Sequence, residues 1–152
     1  MDFLYDVVHN PIFISAVLGW TIAQILKTII HMIMTKNFVA ERMVGSGGMP
    51  SSHAATVCAL ATAVGIKYGA TGYEFPIAVI FAIVVMYDAM GVRRETGIQA
   101  KVLNEMIEVF MNMGTNMSVE DKLKEFIGHT PLQVLMGAIL GILIAVVACG
   151  MI

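Results

Sequence analysis

Four apolar runs set the limits on what this chain can fold into. They cover residues 11–34, 51–68, 75–91 and 131–152, and a helix of about 20 apolar residues spans the roughly 30 Å hydrocarbon layer of a bilayer. Hydrophobic residues make up 58% of the chain and charged residues 13%, against roughly half and about 25% in soluble domains. The sequence therefore predicts an all-α integral membrane helical bundle with about four transmembrane helices, in a single membrane domain over residues 1–152.

The first and last apolar runs begin with helix-start signals. Asn10 is a favourable cap, and Pro11 suits the first helical position. Thr130, Pro131 and Gln133 combine a cap, a first-turn proline and a capping box. These signals place two helix starts.

The remaining segments differ in character. Residues 35–50 are glycine-rich and predict a loop, and residues 116–128 are a charged linker. Residues 95–113 are amphipathic, which predicts an interfacial helix that lies along the membrane surface or over the mouth of the bundle. In the last run, Gly137 and Gly141 have the spacing that allows close helix approach, although such pairs also occur by chance.

Lysine and arginine are distributed unevenly. Four spans place both termini on one side of the membrane, and of these cations only Lys67 falls near that side. The positive-inside rule makes the other side cytoplasmic, so we predict a multi-pass cell-membrane protein with both termini on the far side. A net charge of −2 without a dense basic run gives no indication of a nucleic-acid partner. The cations at or near the cytoplasmic side are Lys27, Lys36, Arg42, Arg93, Arg94, Lys101, Lys122 and Lys124.

Polar side chains also gather on the predicted cytoplasmic face. Lys27 lies near the end of the first span, and His53 lies at the start of the second. Asp88 ends the third span, and His129 precedes the fourth. Ionisable groups at membrane depth are costly and indicate a functional site. Interfacial anchoring is the alternative, and it explains the histidines and the aspartate less well than the lysine.

The sharpest motif is Gly-Ser-Gly-Gly-Met-Pro-Ser-Ser-His over residues 45–53. Glycines such as Gly48 let backbone N–H groups converge into an anion-binding nest. Ser51 and Ser52 then open a helix, whose free N–H groups and dipole attract phosphate. His53 can transfer a proton there. A plain glycine loop with a helix cap is the alternative, and it leaves His53 unexplained.

Cationic side chains near this motif are the predicted phosphate ligands. Lys27 shares a helix face with Gln24 by three-residue spacing. Arg93 and Arg94 follow the third span, and arginine forks suit phosphate oxygens. The alternatives are a lysine that snorkels to the headgroups and an ion pair between Asp88 and an arginine that fixes the helix end.

His129 is the second histidine beside a predicted helix start, and the alternative for it is a water-exposed loop residue. With His53 and Asp88 it has the composition of a two-histidine, one-carboxylate metal site. These residues lack the single-helix spacing that would support a metal, so we predict no metal and no cofactor.

Together these motifs resemble the divergent branch of the type 2 phosphatidic acid phosphatase superfamily, which also contains the vanadium haloperoxidases. The resemblance covers nearly the whole chain, from Gln24-x-x-Lys27 through residues 47–53 and 87–94 to residues 128–131. The superfamily's first motif is a lysine followed after six residues by Arg-Pro. Lys27 matches it, Met34-Thr35 replaces Arg-Pro, and Arg42 is a loose substitute.

The superfamily's other two motifs are matched in part. Residues 50–53 match Pro-Ser-Gly-His at three of four positions. In the third motif, Ser-Arg, five residues, His, three residues, Asp, the arginine matches Arg93. Gln99 and Leu103 occupy the histidine and aspartate positions.

The resemblance implies a metal-independent reaction through a phospho-histidine that water hydrolyses. It implies that His53 protonates the leaving group, and His129 is then the candidate for the missing nucleophile. His53 as nucleophile, or phosphate binding without chemistry, remain the alternatives.

We therefore expect a membrane phosphatase that hydrolyses a lipid-linked or isoprenoid phosphate or diphosphate at the cytoplasmic face. The alternative is a non-catalytic lipid-headgroup-binding or scaffold membrane protein, and homo-oligomerisation is left open. The expected catalytic residues are His53, His129 and Asp88, with Asp88 orienting a histidine. The expected substrate-binding residues are Lys27, Arg42, Gly48, Ser51, Ser52, Arg93 and Arg94.

Overall fold

The computed structural model describes residues 3–37, 48–113 and 129–151, without the side chains of residues 92–94. Within these residues the chain is entirely helical apart from turns and short connections. The helices are α1 (Phe3–Val8), α2 (Pro11–Thr35), α3 (Ser52–Tyr68), α4 (Glu74–Met90), α5 (Val92–Asn112) and α6 (Pro131–Met151).

Among the described residues, three helical segments are long and apolar enough to cross a membrane: Pro11–Thr35, Glu74–Asn112 and Pro131–Met151. The helical membrane class predicted from the sequence is therefore confirmed, whereas the count of four spans is not. The middle segment joins α4 to α5 through Gly91. Gly91 N–H donates to the Tyr87 carbonyl at 2.9 Å, and Glu95 N–H donates to the Gly91 carbonyl at 3.1 Å. The amphipathic segment thus follows directly on α4, and its place at the interface stays a prediction.

The predicted span over residues 51–68 corresponds to α3, which has 17 residues and is not one of these three segments. It lies at the centre of the bundle and packs against α2, α4 and α6. Ala54, Ala55, Ala59 and Ala63 are fully buried. Because neighbouring helices cover this helix, small residues replace the large apolar ones that lipid contact favours.

Large apolar side chains instead point outward from the bundle. Ile77, Ile80 and Phe81 of α4 are exposed, as are Leu135 and Leu143 of α6, and the buried core is mostly alanine. In water such a surface would be far larger than the apolar patches that soluble monomers tolerate. This arrangement suits a chain whose solvent is the bilayer, where close packing of small residues holds helices together.

Glycines let two helices approach α3 closely. A Cβ atom on Gly19 of α2 would lie 2.9 Å from the Ala55 carbonyl oxygen. A Cβ atom on Gly141 of α6 would overlap the same oxygen, and one on Gly137 would overlap the Ser51 carbonyl oxygen. The close approach predicted from the spacing of Gly137 and Gly141 is confirmed.

Side-chain contacts fix the relative directions of the helices. Ser15 Oγ lies 3.7 Å from Cys149 Sγ, so the start of α2 adjoins the end of α6. Phe75, at the start of α4, packs on Gly65 near the end of α3. The end of α2, the start of α3, the end of α4 and the start of α6 therefore meet at the opposite end of the bundle.

Candidate functional site

Gly48 and Ser51 shape the turn that leads into α3. Gly48 has a φ of 86°, in the left-handed region that side chains disfavour. Ser51 caps the helix, since its Oγ accepts a hydrogen bond from Ala54 N–H at 3.4 Å. Ser51 N–H donates to the Gln133 carbonyl at 3.0 Å. This bond ties the N-terminus of α3 to the first turn of α6.

Lys27 of α2 lies against this turn. A Cβ atom on Gly48 would be 3.0 Å from both Cγ and Cδ of Lys27, so the lysine stem passes over the glycine. Lys27 is 3% exposed, and Gln24, one turn earlier, is 6% exposed. The helix face predicted from these two residues therefore points into the bundle. A lysine that snorkels to the lipid headgroups would be exposed. The burial of Lys27 therefore does not support the snorkelling alternative.

Two histidines from distant parts of the sequence meet beside the start of α3. The ring centroids of His53 and His129 are 5.8 Å apart, with an interplanar angle of 66°. His129 is 2% exposed, and its backbone N–H donates to the Ala89 carbonyl at 3.1 Å. The alternative of a water-exposed loop histidine is therefore wrong. The contact brings α3, the end of α4 and the start of α6 together.

Gln133 is a residue of this cluster that the sequence analysis did not include in the site. Its Oε1 accepts a hydrogen bond from Thr130 N–H at 3.1 Å, and its own N–H donates to Thr130 Oγ1 at 3.3 Å. The predicted capping box is thereby confirmed. The same Oε1 lies 3.2 Å from His129 Nδ1. The capping box was the signal available in the sequence, because its glutamine side chain reaches back to the residues that precede the helix.

The remaining predicted site residues are placed as follows. Ser52 is buried, at 4% exposure. Asp88 is exposed, and the side chain hydrogen-bonded to the His129 ring is that of Gln133, not that of Asp88. Arg93 and Arg94 lie in the first turn of α5, with side chains outside the described set. Arg42 lies outside the described residues.

The local electrostatics favour an anion. Lys27 brings a buried amine, and the N-termini of α3 and α6 both lie at this end of the bundle. A helix N-terminus presents free N–H groups and about half a unit of positive charge. Within residues 3–37, 48–113 and 129–151, no cluster of three or more His, Cys, Asp or Glu residues is arranged to hold a metal ion. A lysine and two helix N-termini, the kinds of group that attract an anion, thus lie beside two imidazoles.

Comparison with known proteins identifies similar sequences. A family model described as "Divergent PAP2 family" matches residues 8–144. The chain is also similar to the uncharacterized membrane protein YuiD of Bacillus subtilis (strain 168). The two are 34% identical over 151 residues, which cover 93% of this chain and 96% of the relative. No solved structure matches the chain.

Proposed function

Since the chain belongs to the divergent PAP2 family, we propose that it is a membrane phosphatase acting on a phosphate or diphosphate carried by a lipid or isoprenoid. The observation that carries this proposal is the ring contact between His53 and His129, with centroids 5.8 Å apart. Lys27 is buried against Gly48, next to the helix that carries His53. A cation and two imidazoles at one helix start are the groups that phosphoryl transfer to histidine needs.

The proposed reaction has two steps. His129 attacks phosphorus to form a P–N bond, the P–O bond to the lipid breaks, and His53 gives a proton to the departing oxygen. Water then attacks phosphorus while His53 takes one of its protons. The P–N bond breaks, and inorganic phosphate leaves.

Fixed donors would stabilise the charge on the phosphoryl oxygens in both steps. Lys27 and the N-terminus of α3 are in place before substrate arrives, and preorganised positive groups are an effective form of transition-state stabilisation. Arg93 and Arg94 are proposed as further phosphate ligands, because they begin α5 directly after α4. Arg42 is proposed in the same role from the family resemblance. We propose that Gln133, and not Asp88, orients His129. Asp88 is proposed instead to pair with one of these arginines.

We further propose that the site faces the cytoplasm. The uneven distribution of lysine and arginine supports this orientation through the positive-inside rule. The alternative function, phosphate binding without chemistry, uses the same lysine and the same helix start. It does not need two histidines in contact, which is why hydrolysis is the preferred proposal.

Hydrolysis by the purified full-length protein in lipid–detergent micelles tests the proposal. The substrates are a diacylglycerol phosphate, a polyisoprenyl phosphate and a polyisoprenyl diphosphate. His53→Ala and His129→Ala should each reduce turnover of the accepted substrate roughly 10²- to 10⁴-fold, the usual scale for a lost acid, base or nucleophile. His9→Ala is the matched control, because His9 is exposed and lies just before the start of α2, at the end of the bundle opposite the site.

Full activity in both variants would contradict the histidine mechanism. Absence of hydrolysis in the wild type, with binding of lipid phosphates that weakens as salt is added, would favour the binding function.

A further inference from the structure

The capping box at the start of α6 determines which atom of the Gln133 amide faces His129. The backbone N–H of Thr130 can only donate a hydrogen bond, and it lies 3.1 Å from Gln133 Oε1. The amide NH₂ group cannot take that position, because two donors would face each other. The amide orientation, ordinarily a matter of assignment, is therefore fixed by the backbone.

The same oxygen then determines the tautomer of His129. Gln133 Oε1 lies 3.2 Å from His129 Nδ1, and a carbonyl oxygen has a second lone pair with which to accept. A hydrogen bond between these atoms requires the proton on Nδ1. In a neutral imidazole the other nitrogen, Nε2, then carries the lone pair.

We infer that Gln133 is a positioning residue that holds His129 as the Nδ1–H tautomer and so presents Nε2 as the nucleophile. The catalytic part of this inference rests on the proposed function, whereas the tautomer does not. Nε2 of His129 is buried, on the ring that contacts His53. The tautomer thus places the lone pair on a buried nitrogen of the two-histidine cluster.

Gln133 also sets where the nucleophile stands. Its backbone carbonyl accepts from Ser51 N–H at 3.0 Å, and Gly137, one turn later, packs on the Ser51 carbonyl. The first turn of α6 is therefore fixed against the helix start that carries His53. These contacts use the backbone, so a change of the Gln133 side chain leaves them in place.

The tautomer can be measured without turnover. In protein labelled with ¹⁵N-histidine, the Nδ1 and Nε2 chemical shifts of His129 distinguish the two neutral forms, and His129→Ala identifies the signals. The wild type should show the Nδ1–H form. Gln133→Met, which keeps the length of the side chain without the acceptor, should lose this preference. A wild-type His129 in the Nε2–H form would overturn the inference.

Turnover tests the consequence. Gln133→Met should reduce kcat roughly 10²-fold, the scale of a misplaced catalytic group, with little change in KM. Gln133→Glu keeps an acceptor for both donors and should retain most of the kcat that the methionine variant loses. Thr130→Ala is the control for helix capping, because it removes the Gln133 N–H to Thr130 Oγ1 bond and leaves the Oε1 contact intact.

Equal kcat values for Gln133→Met and Thr130→Ala would show that the glutamine acts only as a cap, which overturns the inference. Should Gln133→Met fail to fold, the wild-type tautomer and the Gln133→Glu kcat decide the matter. A protein that hydrolyses no lipid phosphate, yet shows the expected tautomer and its loss in the methionine variant, would overturn the phosphatase proposal and leave the positioning of His129 standing.

Discussion

A lysine inside a membrane helix bundle is costly unless anions or hydrogen-bond acceptors surround its ammonium group. Lys27 is 3% exposed, and its stem lies over a glycine with a φ of 86°. The placement directs a positive charge to the start of α3, where the backbone already favours anions. At the scale of single residues, this combination is what an anion site within the membrane requires.

Lys27→Met should weaken substrate binding while preserving most of the packing, because methionine keeps the unbranched stem. Loss of a charged hydrogen bond should raise KM roughly 10- to 100-fold. The measurement is steady-state hydrolysis of a lipid phosphate at several substrate concentrations. Lys67→Met is the control, since Lys67 is exposed in the last turn of α3 at the other end of the bundle. Equal kinetics in the two variants would contradict the assignment of Lys27.

Gly48→Ala should affect both stability and function. The left-handed backbone costs a side chain about 1–2 kcal/mol, and the new methyl group would press on the stem of Lys27. Gly69→Ala is a matched control, because Gly69 has a φ of 74° and a Cβ atom added there would have no other atom within 4 Å. Thermal unfolding should report a loss of stability for both variants, whereas only Gly48→Ala should raise KM. A normal KM for Gly48→Ala would show that Lys27 is not held by this turn.

At the scale of helices, α3 is the element on which the site depends. Its start carries the capping serine and His53, and its small residues allow α2 and α6 to approach it. Gly19 and Gly141 both pack on the Ala55 carbonyl. The helix that carries Lys27 and the helix that follows His129 thus pack on the same point of α3.

Gly141→Ala should separate α6 from α3, because the added methyl group would overlap the Ala55 carbonyl oxygen. Overpacking of this kind costs roughly 1–3 kcal/mol, and it should lower both the thermal midpoint in micelles and the turnover. Gly150→Ala in the same helix has open space around the new methyl group. That control should be neutral or slightly stabilising, because alanine favours helix more than glycine does. A Gly141→Ala protein as stable as the control would contradict the packing described for α6.

The helices were predictable from the sequence because their signals are local. The cap at Asn10, whose side chain accepts from Ile12 N–H at 2.9 Å, is one example, and the capping box of Thr130 and Gln133 is another. The central position of α3 was not predictable, since it depends on contacts with three other helices. His53 and His129 were predictable as polar residues at one end of the bundle.

The hydrogen-bond partner of the His129 ring, Gln133, was not predicted. Asp88 was expected to orient a histidine. Its side chain is exposed, while the backbone of the next residue, Ala89, accepts from His129 N–H. Adjacent side chains on a helix point about 100° apart. The sequence does not show how one helix is rotated relative to another, so it could not show whether residue 88 or residue 89 lies next to His129.

At the scale of the whole molecule, the helices run so that the site lies at one end of the bundle and the start of α2 and the end of α6 lie at the other. The contact between Ser15 and Cys149 marks the end opposite the site. Lys36 follows α2 at the site end, and Thr71 lies between α3 and α4 at the other end. Both residues are exposed.

Cysteine labelling in whole cells tests this arrangement in a background from which Cys58 and Cys149 have been removed. A membrane-impermeant thiol reagent should label Thr71→Cys from outside and label Lys36→Cys only after the membrane is opened. When Cys149 is restored as the only cysteine, any labelling of it should occur from the same side as labelling of Thr71→Cys. Labelling of Lys36→Cys and Thr71→Cys from the same side would contradict the arrangement of the bundle. The reverse pattern would contradict only the cytoplasmic orientation.

We propose that a histidine of this bundle takes up the phosphoryl group, and rapid quenching of the reaction detects the resulting phospho-histidine. The full-length protein is mixed with a lipid phosphate labelled with ³²P, stopped in alkali within the first turnover, and digested for mass spectrometry. The histidine mechanism predicts a phospho-histidine at His129 in the wild type and in His9→Ala, and none in His129→Ala. Hydrolysis that proceeds in His129→Ala at the wild-type rate, without a phosphorylated histidine in either protein, would contradict it.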